Sequence, residues 1–169
     1  MTRHDFLIKW GVYVLGLLPV WFLESYLLPR LPLAVHPMLL PLAVVAVAVL
    51  EGAHGGAGFG LGVGLLEASI YPGMGEWMVL GLTLVGLGAG LLTQFVLRRD
   101  LLGCLLCSVL ALAFLDGVRI VLRLLQGEYG LRAMLRLAGN EIAWSLLFVF
   151  PVYGIFLWIF RRIPKRTHF

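Results

Sequence analysis

Four carboxylates stand where the surrounding sequence gives them little water. Glu51, Glu67, Asp116 and Glu141 lie at, or within a turn or two of, the ends of strongly apolar runs. Placing an aspartate at the middle of a membrane-spanning helix costs roughly 2.5–3.5 kcal/mol on insertion scales, so acids kept in such runs have a use. Three uses compete: a proton or ion relay, a polar clamp between helices, and placement at the interface. Positions near the ends of the runs favour the last two. Asp116 and Arg119 are spaced i,i+3, so they can pair on one helix face and lower each other's burial cost. Arg123 lies one turn further along that stripe. The set reads either as a self-neutralising pair at the rim or as a contact for a partner outside the membrane.

The remaining reactive types suggest less. Cys104 and Cys107 form a single CxxC inside an apolar run, with none of the exposure, neighbouring charge or further ligands that redox or zinc chemistry needs. They read as small packing residues. His36 and His54 are isolated from each other. No metal-ligand cluster, nucleophile–base set or phosphate loop is present in the sequence. The chain therefore offers no catalytic residue, cofactor site or metal ligand, and reads as non-enzymatic.

The most specific local pattern is glycine. Gly56, Gly60 and Gly64 repeat every four residues, Gly58 and Gly62 interleave with them, and Gly86 and Gly90 repeat the spacing in the next run. Small residues four apart flatten one helix face and let two backbones approach closely in lipid. Such faces serve either packing between neighbouring spans of the same chain or docking of a partner subunit.

These residues must be positioned by membrane helices. Of the 169 residues, 61% are hydrophobic and 13% charged, with a mean hydropathy of +0.99. A soluble domain carries about 45–50% apolar and about 25% charged residues, and one of this size could not hide the excess. The composition excludes a soluble enzyme, a disordered chain and a disulfide-stapled secreted module. A net charge of +4 and a pI near 9.4 fit anchoring to anionic lipid and are weak grounds for a nucleic-acid partner.

A spanning helix takes about 20 residues, so the chain has room for about six spans in a single membrane domain covering residues 1–169. Apolar runs and breaks place them at 6–28, 33–50, 55–71, 77–97, 101–122 and 140–160. Pro29-Arg30-Leu31-Pro32, Glu51 to His54, Pro72-Gly73-Met74-Gly75-Glu76 and Arg98-Arg99-Asp100 supply the breaks. Pro37 and Pro41 make the start of the second span irregular. Gln126 to Leu137 alternates charged and apolar residues at helical spacing, as an interfacial stretch does. With a cytoplasmic N-terminus, an even count returns the C-terminus to the cytoplasm. The inside then receives Arg3, Lys9, Arg98, Arg99, Arg161, Arg162, Lys165 and Arg166, and the outside Arg30, Arg119, Arg123, Arg132 and Arg136. That bias follows the positive-inside rule. Trp10 and Trp158 fall near the inner interface, and Trp21, Trp77 and Trp144 near the outer one.

The run Gly56-Ala57-Gly58-Phe59-Gly60-Leu61-Gly62-Val63-Gly64-Leu65-Leu66-Glu67, followed by Pro72-Gly73, resembles the core signature of the MreD family, rod shape-determining membrane proteins of bacteria. Glu67 stands where that family usually has aspartate. Asn140-Glu141, Pro151 with Tyr153, and Arg161-Arg162 resemble its last span. The resemblance implies an all-α polytopic fold similar to the S components of energy-coupling-factor vitamin transporters. It also implies a non-enzymatic subunit of the cell-elongation machinery in the bacterial cytoplasmic membrane. Such a subunit binds MreC and acts with MreB filaments, RodA and its transpeptidase in peptidoglycan synthesis and cell shape. Under this reading Gly56, Gly58, Gly60, Gly62, Gly64, Glu67, Gly86, Gly90, Asp116, Arg119 and Glu141 form the packing and partner surface, for MreC or a second copy of the chain. A substrate-binding S component is the runner-up. Those proteins resemble one another in an AxxxA-type contact on the first span, whereas here Gly11 and Gly16 are five apart.

Overall fold

The computed structural model describes residues 3–30, 37–70, 75–96, 100–125, 127 and 130–162. These residues form six α-helices and no strand: α1 (Arg3–Phe22), α2 (Leu40–Glu51), α3 (Ala53–Ile70), α4 (Gly75–Phe95), α5 (Leu101–Leu125) and α6 (Leu131–Arg162). α1 carries Pro19 and continues into a π-helical turn, Leu23–Leu27, and a 3-10 turn, Leu28–Arg30.

α2 is the centre. Leu40 to Leu50 are all buried, which is the expected place for a helix apolar on every side. Its alanines and valines let neighbours approach on each face. Twelve residues extend only about 18 Å, short of the roughly 30 Å hydrocarbon core. Pro41 sits in its first turn, where a missing N–H costs nothing. At its other end Gly52 adopts φ 89°, a left-handed conformation that reverses the chain directly into α3.

The helices alternate in direction, giving the molecule two ends. At the near end, where α1 starts and α2 finishes, Lys9 and Tyr13 both donate to the Glu51 carboxylate. Trp10, Tyr13, Phe59 and Phe156 nest beside them with ring centroids 6.0–6.4 Å apart. At the far end Met38 N–H donates to Ser145 Oγ at 3.0 Å, tying the start of α2 to α6.

Four helical stretches are long and apolar enough to cross a membrane: Ile8–Leu27, Trp77–Phe95, Leu101–Leu125 and Leu131–Arg162. The chain is a multi-pass helical membrane protein. The predicted spans 33–50 and 55–71 correspond to α2 and α3. The first begins as helix only at Leu40, and its residues 33–36 lie outside the described residues, as does the Pro72-Gly73 turn. The largest departure is at α6. Residues 131–137, read as part of an interfacial stretch, are the first two turns of a helix that runs unbroken to Arg162, passing through Pro151. Leu131, Met134, Leu135 and Ala138 continue the period of the buried Ser145 and Val149, so nothing in the pattern stops the helix before 140. Gln126 lies outside the described residues.

Candidate functional site

The glycine pattern separates into two faces. A methyl group built on Gly56 would stand 2.5 Å from the Gly86 carbonyl oxygen, and one on Gly64 would stand 2.7 Å from Val79 Cα. Methyls on Gly60, Gly86 and Gly90 would strike the backbones of Leu82, Gly56 and Ala53. These five glycines are therefore consumed by backbone-to-backbone contact between α3 and α4. Gly58 and Gly62 point elsewhere. Both are exposed; only Trp10 comes near the first, at 3.8 Å, and open space surrounds the second. Leu61 and Leu65 stand exposed beside them. The result is a flat strip with a leucine edge on the outward face of α3.

The far end gathers the carboxylates. Arg119 Nη1 lies 4.0 Å from Asp116 Oδ1 and 3.7 Å from Glu141 Oε1, so the pair expected within α5 is joined by an acid from α6. Asp116 is buried. Its Oδ2 and Glu67 Oε2 are enclosed without a hydrogen-bond partner among the described residues. Glu67 and Glu24 both lie within electrostatic range of Arg119, and of each other. Glu24 escaped the sequence reading. From the π turn its Oε2 accepts from Leu39 N–H at 3.2 Å and Leu40 N–H at 2.8 Å. It thereby satisfies two amides at the head of α2. The signal for it was present: an acid inside the predicted span 6–28 is as costly as the four that were singled out.

Glu24, Glu67, Asp116 and Glu141 thus come from four elements at the far end, with Arg119 within 4.0 Å of the last two. No three His, Cys, Asp or Glu side chains among the described residues converge as a metal site would require. The chemistry this geometry supports is a clamp: Arg119 draws α5 to α6, and Glu24 fixes the end of the first span to α2. Glu51 is absent from the group. It lies at the near end with Lys9 and Tyr13.

The other candidates are dispersed. Cys104 and Cys107 are free, buried thiols in the α5 packing surface, and Cys107 helps line an apolar groove of about 290 Å³ between α4 and α5. His54 is exposed at the start of α3, and His36 lies outside the described residues. At the near end the Arg162 guanidinium sits 4.2 Å above the Trp158 ring, a pairing suited to a membrane interface. Comparison of the chain with protein-family models, curated proteins and solved structures gave no match.

Proposed function

We propose that the chain is a non-enzymatic membrane scaffold of the MreD type, holding the membrane anchor of an MreC-like protein in the cell-elongation complex. Through that partner it acts with MreB, RodA and its transpeptidase to organise peptidoglycan synthesis. The reading includes six passages through the bacterial cytoplasmic membrane in an arrangement similar to the S components, counting α2 and α3 as spans. It puts both termini and the near end in the cytoplasm, and the far end outside. The observation that carries it is the Gly58/Gly62 strip: the one α3 glycine set that the chain's own packing leaves open is flat and apolar, as a helix-docking face must be. Asp116 and Glu141, expected with Arg119 to serve a partner as well, lie within 4.0 Å of that arginine, and this reading assigns the MreC anchor to α3. Co-purification from detergent tests this. Wild-type protein should recover MreC, and Gly58→Leu/Gly62→Leu should lose it at unchanged yield; equal recovery would sink the contact face.

The S-component reading draws on one observation, the enclosed and unpartnered oxygens of Glu67 and Asp116. Such groups are costly in lipid unless something satisfies them. If that something is a vitamin, the purified protein should be stabilised by about 2.7 kcal/mol at 100 times the dissociation constant. Melting temperatures unmoved across a vitamin panel would remove this reading.

A further inference from the structure

The two longest helices outrun the bilayer. α6 has 32 residues, about 48 Å of helix at 1.5 Å per residue, whereas the hydrocarbon core takes about 30 Å. Counting about 20 residues back from Arg162 reaches the neighbourhood of Glu141. Counting the same number forward from Leu101 reaches the neighbourhood of Arg119. The two counts meet at the Arg119–Glu141 pair, 3.7 Å apart, which marks one level on both helices. Residues 121–125 and 131–140 stand beyond it.

Among the described residues, none covers the apolar face of the projecting part of α6. Lower down, that face packs on α2, whose first turn reaches only to the level of Ser145, where Met38 N–H meets the serine hydroxyl. Above that level Leu131 is 49% exposed and Leu135 55%, with Met134 and Ala138 half-buried on the same stripe. Arg132 borders the stripe beside Leu131 and Leu135, and Arg136, one turn on, lies further round the helix; both are exposed and make no ion pair among the described residues. Between Asp116 and Glu141 the sequence holds Arg119, Arg123, Arg132 and Arg136 against a single acid, Glu128. Folding down onto the membrane surface would bury the stripe. Yet the helix is continuous from Leu131 to Arg162, and its sole proline, Pro151, lies in the spanning part. The segment therefore stands along the axis of the span and presents its stripe above the membrane.

We infer that this projecting end of α6 is a docking surface for an amphipathic helix of a protein partner. The partner's apolar side chains seat on Leu131 and Leu135, and carboxylates along its edge pair with Arg132 and Arg136. Apolar burial supplies the attraction, and the sign of the charge selects the partner. The inference does not rest on the Gly58/Gly62 strip, which lies on another helix and is tested by a different variant.

The test uses the full chain in phosphatidylcholine nanodiscs and two helical peptides with one apolar stripe, flanked by glutamates in one and lysines in the other. The glutamate peptide should bind about tenfold more tightly than the lysine peptide, and R132E/R136E should reverse that preference. Equal binding of the two peptides, or a preference untouched by the reversal, overturns the proposal. A fluorophore at Leu135→Cys, in a chain with Cys104 and Cys107 replaced by serine, should also be spared by a lipid-soluble quencher that reaches one at Leu147→Cys. Equal quenching at both positions overturns the proposal in favour of the membrane surface.

Discussion

Gly60 and Gly62 stand two residues apart on α3 and do opposite things. The first lies against the Leu82 carbonyl with no room for a side chain, and the second faces open space. One helix thus carries a face spent on the fold and a face left over. The contrast teaches that a small-residue repeat has to be sorted by what already occupies it before any of it is offered to a partner. In lipid, where apolar surface gives no drive toward association, close backbone approach is the main source of helix affinity. An unspent glycine face is therefore a resource that the inner set no longer has.

The largest expected effect breaks that contrast at its inner side. Gly60→Leu forces a branched side chain into the α4 backbone and should destabilise by about 3 kcal/mol or more, read as loss of monodisperse protein or a collapsed melting temperature. Arg119→Met should come next. It leaves Asp116 and Glu141 without their shared cation, at about 1–3 kcal/mol once the partial exposure of Arg119 is allowed for. Glu24→Ala should cost about 1–2 kcal/mol by uncapping α2, measured by thermal denaturation in the same detergent. Smallest is Gly62→Leu, expected within about 0.5 kcal/mol of wild type because the added side chain meets nothing. A Gly62→Leu variant as unstable as Gly60→Leu would erase the distinction between the two faces.

The ends of the molecule make the same point with charge. At the near end Glu51 has both oxygens satisfied, by Lys9 and Tyr13. At the far end Glu67 and Asp116 each keep an enclosed oxygen that nothing in the described chain satisfies. The near end is a finished latch, and the far end still has hydrogen-bonding capacity to offer.

Much of this was legible in the sequence. The excess of apolar residues, the helical membrane character, and the pairing of Asp116 with Arg119 all follow from composition and spacing. So does close contact between the third and fourth spans. Which glycine set faces inward was not legible: Gly56/Gly60/Gly64 and Gly58/Gly62 lie about 200° apart on a helix, and both have the same spacing. α2 gave no facing signal because it is apolar on every side. Alternating arginine and leucine at 131–137 fits a separate flat helix or the start of the last one equally well; in the structure these residues belong to one helix with Ser145 and Val149. Glu24 was legible as an acid inside the predicted span 6–28, but not its partners, the Leu39 and Leu40 amides at the head of α2.

The central claim is that the open face of α3 holds a partner's membrane anchor. Recovery of MreC on purified Gly58→Leu/Gly62→Leu, set beside wild type, tests it most directly. The account predicts a variant that expresses, melts like wild type and brings down little or no MreC. A variant that is equally stable and recovers MreC in full would contradict it.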